Sequence, residues 1–191
     1  MKSIGEYLRE SAEVINKTTE VLSNERVEQA LEAMTAALSV GNPLLVCGNG
    51  GSAADAIHIT AELVGRFLIE RKALNCICLS SNPGTLTAWT NDYGYDTVFS
   101  RQVEAYGKAG GVILGISTSG NSPSVVNALR TAREMNMVTI ALTGEGGGKL
   151  AEVSDIVLSA PSTSTPQIQQ VHLCIYHYLC AEIEQRIRAQ A

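Results

Sequence analysis

Beyond Pro43 the chain alternates short apolar runs with stretches of helical spacing, and this alternation limits the fold more than any other feature of the sequence. The runs are Leu44 to Cys47, Cys76 to Leu79, Val112 to Ile116, Val138 to Leu142 and Ile156 to Leu158. A strand that is apolar on both faces must be covered on both faces, which is the condition of a parallel sheet between two helical layers. The pattern therefore predicts a doubly wound α/β domain, a three-layer sandwich around a mainly parallel five-stranded sheet. Ser122-Pro123 and Thr165-Pro166 each join a capping hydroxyl to a proline suited to the first helical turn, so each predicts a helix start, the second opening a long helix to about Arg188. Ahead of Pro43, Ile4, Leu8 and Ile15 form one helical stripe and Val27, Leu31, Met34 and Leu38 a second. Asn24 is the expected cap between them and Gly41-Asn42 the expected stop. A single domain over residues 1–191 is expected of a chain of 191 residues that is 45% hydrophobic.

Only 17% of the residues are charged, against roughly 25% in a typical soluble domain, which points to surface hidden in an oligomer. Fourteen Lys and Arg against nineteen Asp and Glu leave a net charge of −5, which argues against a general binder of nucleic acid or anionic membrane. An anion would have to be caught by a local site. No apolar run approaches the roughly 18 to 20 residues that span a bilayer, and the N-terminus lacks an uninterrupted signal-peptide core, so a cytosolic protein is expected. Cys47, Cys76, Cys78, Cys174 and Cys180 lie mostly in apolar segments, not at zinc-knuckle spacing, and are read as buried reduced thiols.

In a doubly wound sheet, ligands bind where strands end and helices begin, because helix N-termini there point free N–H groups at anions. Gly48-Asn49-Gly50-Gly51-Ser52-Ala53 follows a strand run and formally fits the dinucleotide pattern G-x-G-x-x-A. The second strand, however, runs into Ser80-Ser81-Asn82, not the acidic residue that holds a ribose, and the Lys of a mononucleotide loop is missing too. What remains is a tight turn presenting backbone N–H groups with Asn49 and Ser52, or simply a β-to-α turn. In Ser117-Thr118-Ser119-Gly120-Asn121-Ser122, four hydroxyls precede a proline-opened helix. They can donate to phosphate oxygens while the helix dipole adds partial positive charge without Lys or Arg, although Ser and Thr are also ordinary capping residues.

His58 and Glu62 stand four residues apart on the helix after the first loop and are neighbours on one face, at the border of an apolar stripe read as Ala54, Ile57, Ala61, Leu63 and Val64. Such a pair can share a divalent metal, act as acid and base, or be a solvated contact. The last helix carries Gln169, His172 and His177. Helical geometry leaves Gln169 and His177 about 80° apart and about 12 Å along the axis, able to face one cleft, while His172 points elsewhere and is expected to be a packing residue.

Taken in order, these segments resemble the phosphoheptose isomerases of the sugar isomerase (SIS) fold. The resemblance rests on Cys47 to Ser52, His58 with Glu62, Gly65-Arg66, Asn91-Asp92, Ile116 to Ser122, Leu142-Thr143-Gly144 with Gly147-Gly148-Lys149, and Ile168-Gln169 with His177, and covers nearly the whole chain. It implies conversion of sedoheptulose 7-phosphate to D-glycero-D-manno-heptose 7-phosphate for bacterial surface polysaccharide. By the same resemblance Ser117, Thr118, Ser119 and Ser122 would hold the phosphate, and Asn49, Gly50, Gly51, Ser52, Asn91 and Asp92 would surround the sugar. His58, Glu62, Gln169 and His177 would bind one Zn²⁺, with Glu62 and His177 as the catalytic pair. A homotetramer built around helices in residues 1–40 is implied as well. Other proteins of this fold are sugar-phosphate-sensing regulators or partners of a replication initiator, so the fold alone leaves a non-enzymatic role open.

Overall fold

The computed structural model describes residues 2–190. Its elements are helix α1 (Ile4–Val21), α2 (Asn24–Ser39), strand β1 (Leu44–Gly48), α3 (Gly51–Val64), β2 (Cys76–Cys78), α4 (Pro83–Tyr93), α5 (Val98–Tyr106), β3 (Val112–Ser117), α6 (Pro123–Glu134), β4 (Val138–Thr143), α7 (Gly148–Val153), β5 (Ile156–Ser159) and α8 (Thr165–Gln190). All five expected runs are strands, in the order β2-β1-β3-β4-β5, and every pairing is parallel, more uniform than the mainly parallel sheet expected.

The pleat explains why the strand runs are apolar throughout. Along β1, Leu44 and Val46 point into a core shared with α2, α3 and α8, while Leu45 and Cys47 point into the opposite core with α5 and α6. Each strand thus feeds two hydrophobic layers. At roughly 1.5 to 3 kcal/mol for each fully buried aliphatic side chain, these layers are the main favourable contribution to folding.

The helices start where expected, with corrections to how they are capped and which face is buried. Ser122 stands at the N-cap of α6 with Pro123 in the first turn, but its hydroxyl pairs with Ser117 at 3.0 Å and makes no cap bond, and α8 opens at Thr165-Pro166 with Thr165 already helical. Between α1 and α2, however, the cap is Ser23, whose hydroxyl accepts the Arg26 N–H at 3.2 Å, and Asn24 is already helical. Either residue suits a cap, and the difference is one position. On α3 the buried residues are Ser52, Ala56, Ile59 and Leu63, whereas Ile57 and Val64 of the expected stripe are 48% and 44% exposed. This helix is apolar nearly all round, so spacing alone could not say which side meets the sheet. Cys47, Cys76, Cys78 and Cys180 are buried free thiols as expected, but Cys174 is exposed.

Candidate active site

The order in which strands are added to the sheet reverses between β1 and β3, and the crevice opened at their C-terminal ends is where such folds hold ligands. Two loops flank it. After β1, Gly50 takes φ +56° and ψ −122°, a conformation denied to residues with a Cβ, and turns the chain so that α3 starts at Gly51. A Cβ on Gly51 would run into the amide of Gln169, so its bare backbone is what allows α8 to lay Gln169 across the start of α3. After β3, the hydroxyls of Ser117 and Ser122 lie 3.0 Å apart and those of Ser117 and Ser119 3.5 Å apart.

Between these loops is a cavity of about 170 Å³ lined by Asn49, Gly51, Ser52, Ser117, Thr118, Ser119, Ser122, Thr165 and Gln169, together with Ile116. No Lys or Arg lines it, and the N-termini of α3, α6 and α8 all border it. Neutral donors and three helix ends together suit an anion the size of a monophosphate better than a dinucleotide. Larger clefts lie elsewhere, including one of about 530 Å³ between α1, α2 and α8, but they lack this convergence of donors. Tyr95, which no sequence signal marked, donates its hydroxyl to Asn49 Oδ1 at 2.6 Å while Asn49 Nδ2 donates to Ser124 at 3.1 Å, fixing the amide at the lip.

A second group stands farther along α3 and α8. His58 Nε2 lies 3.0 Å from Glu62 Oε1, and His58 Nδ1 lies 3.0 Å from the hydroxyl of buried Tyr176. The Tyr176 hydroxyl also reaches Asp55 at 3.5 Å; burial first, and then the Asp55 carboxylate, push this phenol well above its ordinary value. The His177 ring packs 5.1 Å from His58 and stacks on Phe67 at 5.2 Å. Its Nε2 is buried without a hydrogen-bond partner, and such a polar atom needs an explanation.

That orphaned nitrogen tests the implied metal. Two imidazoles and a carboxylate are a donor set that zinc accepts, and a metal would satisfy His177 Nε2. Among the described residues, however, no three His, Cys, Asp or Glu side chains already converge as a metal-holding group. His58, Glu62 and His177 fit by chemistry and stand near one another without being gathered, while the Gln169 amide lies against Gly51 at the start of α3, in the cavity.

Asn91 and Asp92 are exposed on α4, where the Asn91 amide donates to Asp92 at 3.0 Å, and neither lines the cavity of the single chain. Gly50 is exposed at the rim. His172 is the packing histidine expected: it is fully buried, with Nε2 3.0 Å from the Thr143 carbonyl to which it donates. Tyr95, Tyr176, Asp55 and Phe67 were not foreseen, since each enters through a contact between residues far apart in the chain.

Fold and cavity define a class, the SIS domain, and the family model so described matches residues 6–144. The chain belongs to the phosphoheptose isomerase family of phosphosugar isomerases. It is 52% identical over 158 residues to the phosphoheptose isomerase of Rhodospirillum rubrum, covering 83% of this chain and 84% of that one. With the phosphoheptose isomerase of Aliarcobacter butzleri it shares 48% over 189 residues, 98% and 99% of the two chains. The solved phosphoheptose isomerase of Neisseria gonorrhoeae superposes with a TM-score of 0.89 at 41% identity, over 95% of this chain and 97% of that one. That of Francisella tularensis gives 0.91 at 38%, over 95% and 96%. A sugar isomerase domain of an RpiR transcription factor from Sphaerobacter thermophilus, 22% identical with a TM-score of 0.66, shares the fold alone. Among the described residues no helix is long and apolar enough to cross a membrane.

Proposed function

We propose that the chain interconverts sedoheptulose 7-phosphate and D-glycero-D-manno-heptose 7-phosphate through an enediol. The observation that carries this reading is the cation-free, hydroxyl-lined cavity at the β1/β3 switch, with a carboxylate and two imidazoles grouped farther along the same two helices, α3 and α8. Ser117, Thr118, Ser119 and Ser122 hold the phosphate; Asn49, Gly50, Gly51, Ser52 and Gln169 face the sugar. By the same resemblance Asn91 and Asp92 complete the sugar pocket, although in the single chain they do not line the cavity.

Isomerisation needs a base for the C1 proton. Glu62 removes it, the C1–H electrons form the C1–C2 double bond, and the C2 carbonyl oxygen gains a proton from the partner acid, giving the enediol. The return step delivers a proton to C2 as the C1 hydroxyl gives up its own and becomes the aldehyde. Glu62 is held toward this task by His58, and His177 shuttles the oxygen-bound protons. Zn²⁺, held by His58, Glu62, Gln169 and His177, would supply electrophilic polarisation of the substrate oxygens.

Incubation of the purified protein with sedoheptulose 7-phosphate, following aldose formation and solvent exchange of the C1 proton, is the direct test. Phosphosugar binding without exchange, with zinc supplied, would instead assign the chain to the sugar-phosphate sensors of this fold. Chelation is expected to lower turnover, with added Zn²⁺ restoring it in the wild type but not in His58→Ala. Full activity in protein that elemental analysis finds free of metal would remove zinc from the reading. Self-association, as a tetramer by resemblance, is supported by the exposed apolar side chains of α1, with Ile4 73% and Leu8 59% exposed, and is checked by sedimentation.

A further inference from the structure

One buried ion pair outside the site takes no part in the chemistry above. Glu184 on α8 is completely buried and Arg71, in the segment between α3 and β2, has a side chain only 4% exposed. The Glu184 carboxylate accepts the backbone N–H groups of Phe67, Leu68 and Ile69 at 2.8, 2.7 and 3.1 Å, and Arg71 Nη2 sits 3.0 Å from it. The same guanidinium donates to the Glu62 carbonyl at 2.7 Å from Nη2 and to the Gly65 carbonyl at 2.7 Å from Nη1. Glu184 follows His177 by seven residues, which on a helix returns to the same face within about 20°. Phe67, whose N–H is held by Glu184, is also the ring stacked on His177.

Both members of the acid–base pair are therefore referred to one ionic centre: Glu62 through its own carbonyl, His177 through its helix and through Phe67. A buried ion pair is a weak source of stability, since well-packed apolar residues often do as well. A planar fork with fixed donors does supply direction, and it acts here where α3 has just ended and its last carbonyls need partners.

We propose that Arg71 and Glu184 are positioning residues that set the placement of Glu62 against His177. The proposal rests on the reading of those two as base and acid.

The test is steady-state kinetics with sedoheptulose 7-phosphate on Glu184→Gln and Arg71→Lys, per mole of folded protein, with inorganic phosphate titrated in parallel. Glu184→Gln keeps the shape of the carboxylate but not its charge. Should it fail to fold, Arg71→Lys decides, because it keeps a cation opposite Glu184 and loses only the fork to the Glu62 and Gly65 carbonyls. The expected result is a fall of tenfold or more in kcat, with KM and phosphate affinity within about twofold of wild type. In a Glu62→Gln background either change should cost nothing further. Unchanged kcat in folded variants overturns the proposal, and so does a loss that repeats in full in the Glu62→Gln background. Parallel falls in kcat and phosphate affinity overturn it too, since they mark a general loosening of the fold. Wild-type C1 exchange in Glu62→Gln alone overturns the acid–base reading itself, a result separable from an unimpaired Glu184→Gln beside an inactive Glu62→Gln.

Discussion

On the proposed function, four serine and threonine hydroxyls take the place that a lysine holds in many phosphate sites. Because Ser119 and Ser122 border the cavity and no cation compensates for them, Ser119→Ala with Ser122→Ala should weaken both phosphosugar and inorganic phosphate. About 1.5 to 3 kcal/mol is expected for each charge-assisted hydrogen bond lost, read by calorimetric titration. Unchanged phosphate affinity would mean that the anion sits elsewhere. In the proposed mechanism Glu62 differs from these residues, because there its carboxylate acts on a proton transferred only in the transition state. Glu62→Gln should therefore lower kcat by about 10²- to 10⁴-fold with little change in KM, and abolish exchange at C1. Should exchange persist, another group is the base, and Asp92, the carboxylate of α4, is the one to substitute next.

At the scale of elements, the serine-rich loop after β3 is held in shape by its neighbour after β4. Gly120 has φ +66°, and a Cβ there would collide with the Gly147 carbonyl. Its own carbonyl accepts the Leu150 N–H at 2.9 Å, and Asn121 Oδ1 accepts that of Lys149 at 3.1 Å. The loop before α6 and the start of α7 therefore form one unit. Gly120→Ala should cost at least about 1 to 2 kcal/mol from backbone strain, to which the collision adds, and should weaken phosphate binding as the serines shift. Gly146→Ala is the matching control: φ is +78° but a Cβ would meet open space, so thermal stability should fall while phosphate affinity stays. Equal phosphate affinity in both variants would show that the two loops are not coupled.

For the molecule as a whole, the most informative titrating group is away from the chemistry. Burial drives His172 down to about 4, although its hydrogen bond to the Thr143 carbonyl opposes this. Its unfolded value is near 6.5, so the unfolded chain takes up a proton first as the pH falls, and folding stability drops as pH is lowered from about 6.5 toward 4. Between pH 7 and 5 the expected loss is about 2 kcal/mol, measured as a shift in urea midpoint, and it should be missing in His172→Gln. Glu184 acts in a separate, more acid window. Burial raises its carboxyl, but the three backbone N–H donors and Arg71 outweigh that and hold it below the ordinary glutamate value, so its contribution is lost only as pH falls through that lower value.

The parallel sheet, the two ligand loops and the helix starts at Ser122 and Thr165 could be read from the sequence because each is written within a few consecutive residues: an apolar run for a strand covered on both faces, a glycine turn, a hydroxyl before a proline. So could the neighbouring positions of His58 and Glu62, since helical periodicity alone places them together. The buried face of α3 could not, because a helix apolar on most sides has no preferred side until the sheet and α8 are packed against it. Nor could the Tyr95 bond to Asn49, the Tyr176 contact with His58, or the Glu184 grip on the Phe67 N–H 117 residues away. Those contacts join segments that only the closed sheet brings within hydrogen-bond reach, and nothing in the local pattern at either end announces its partner.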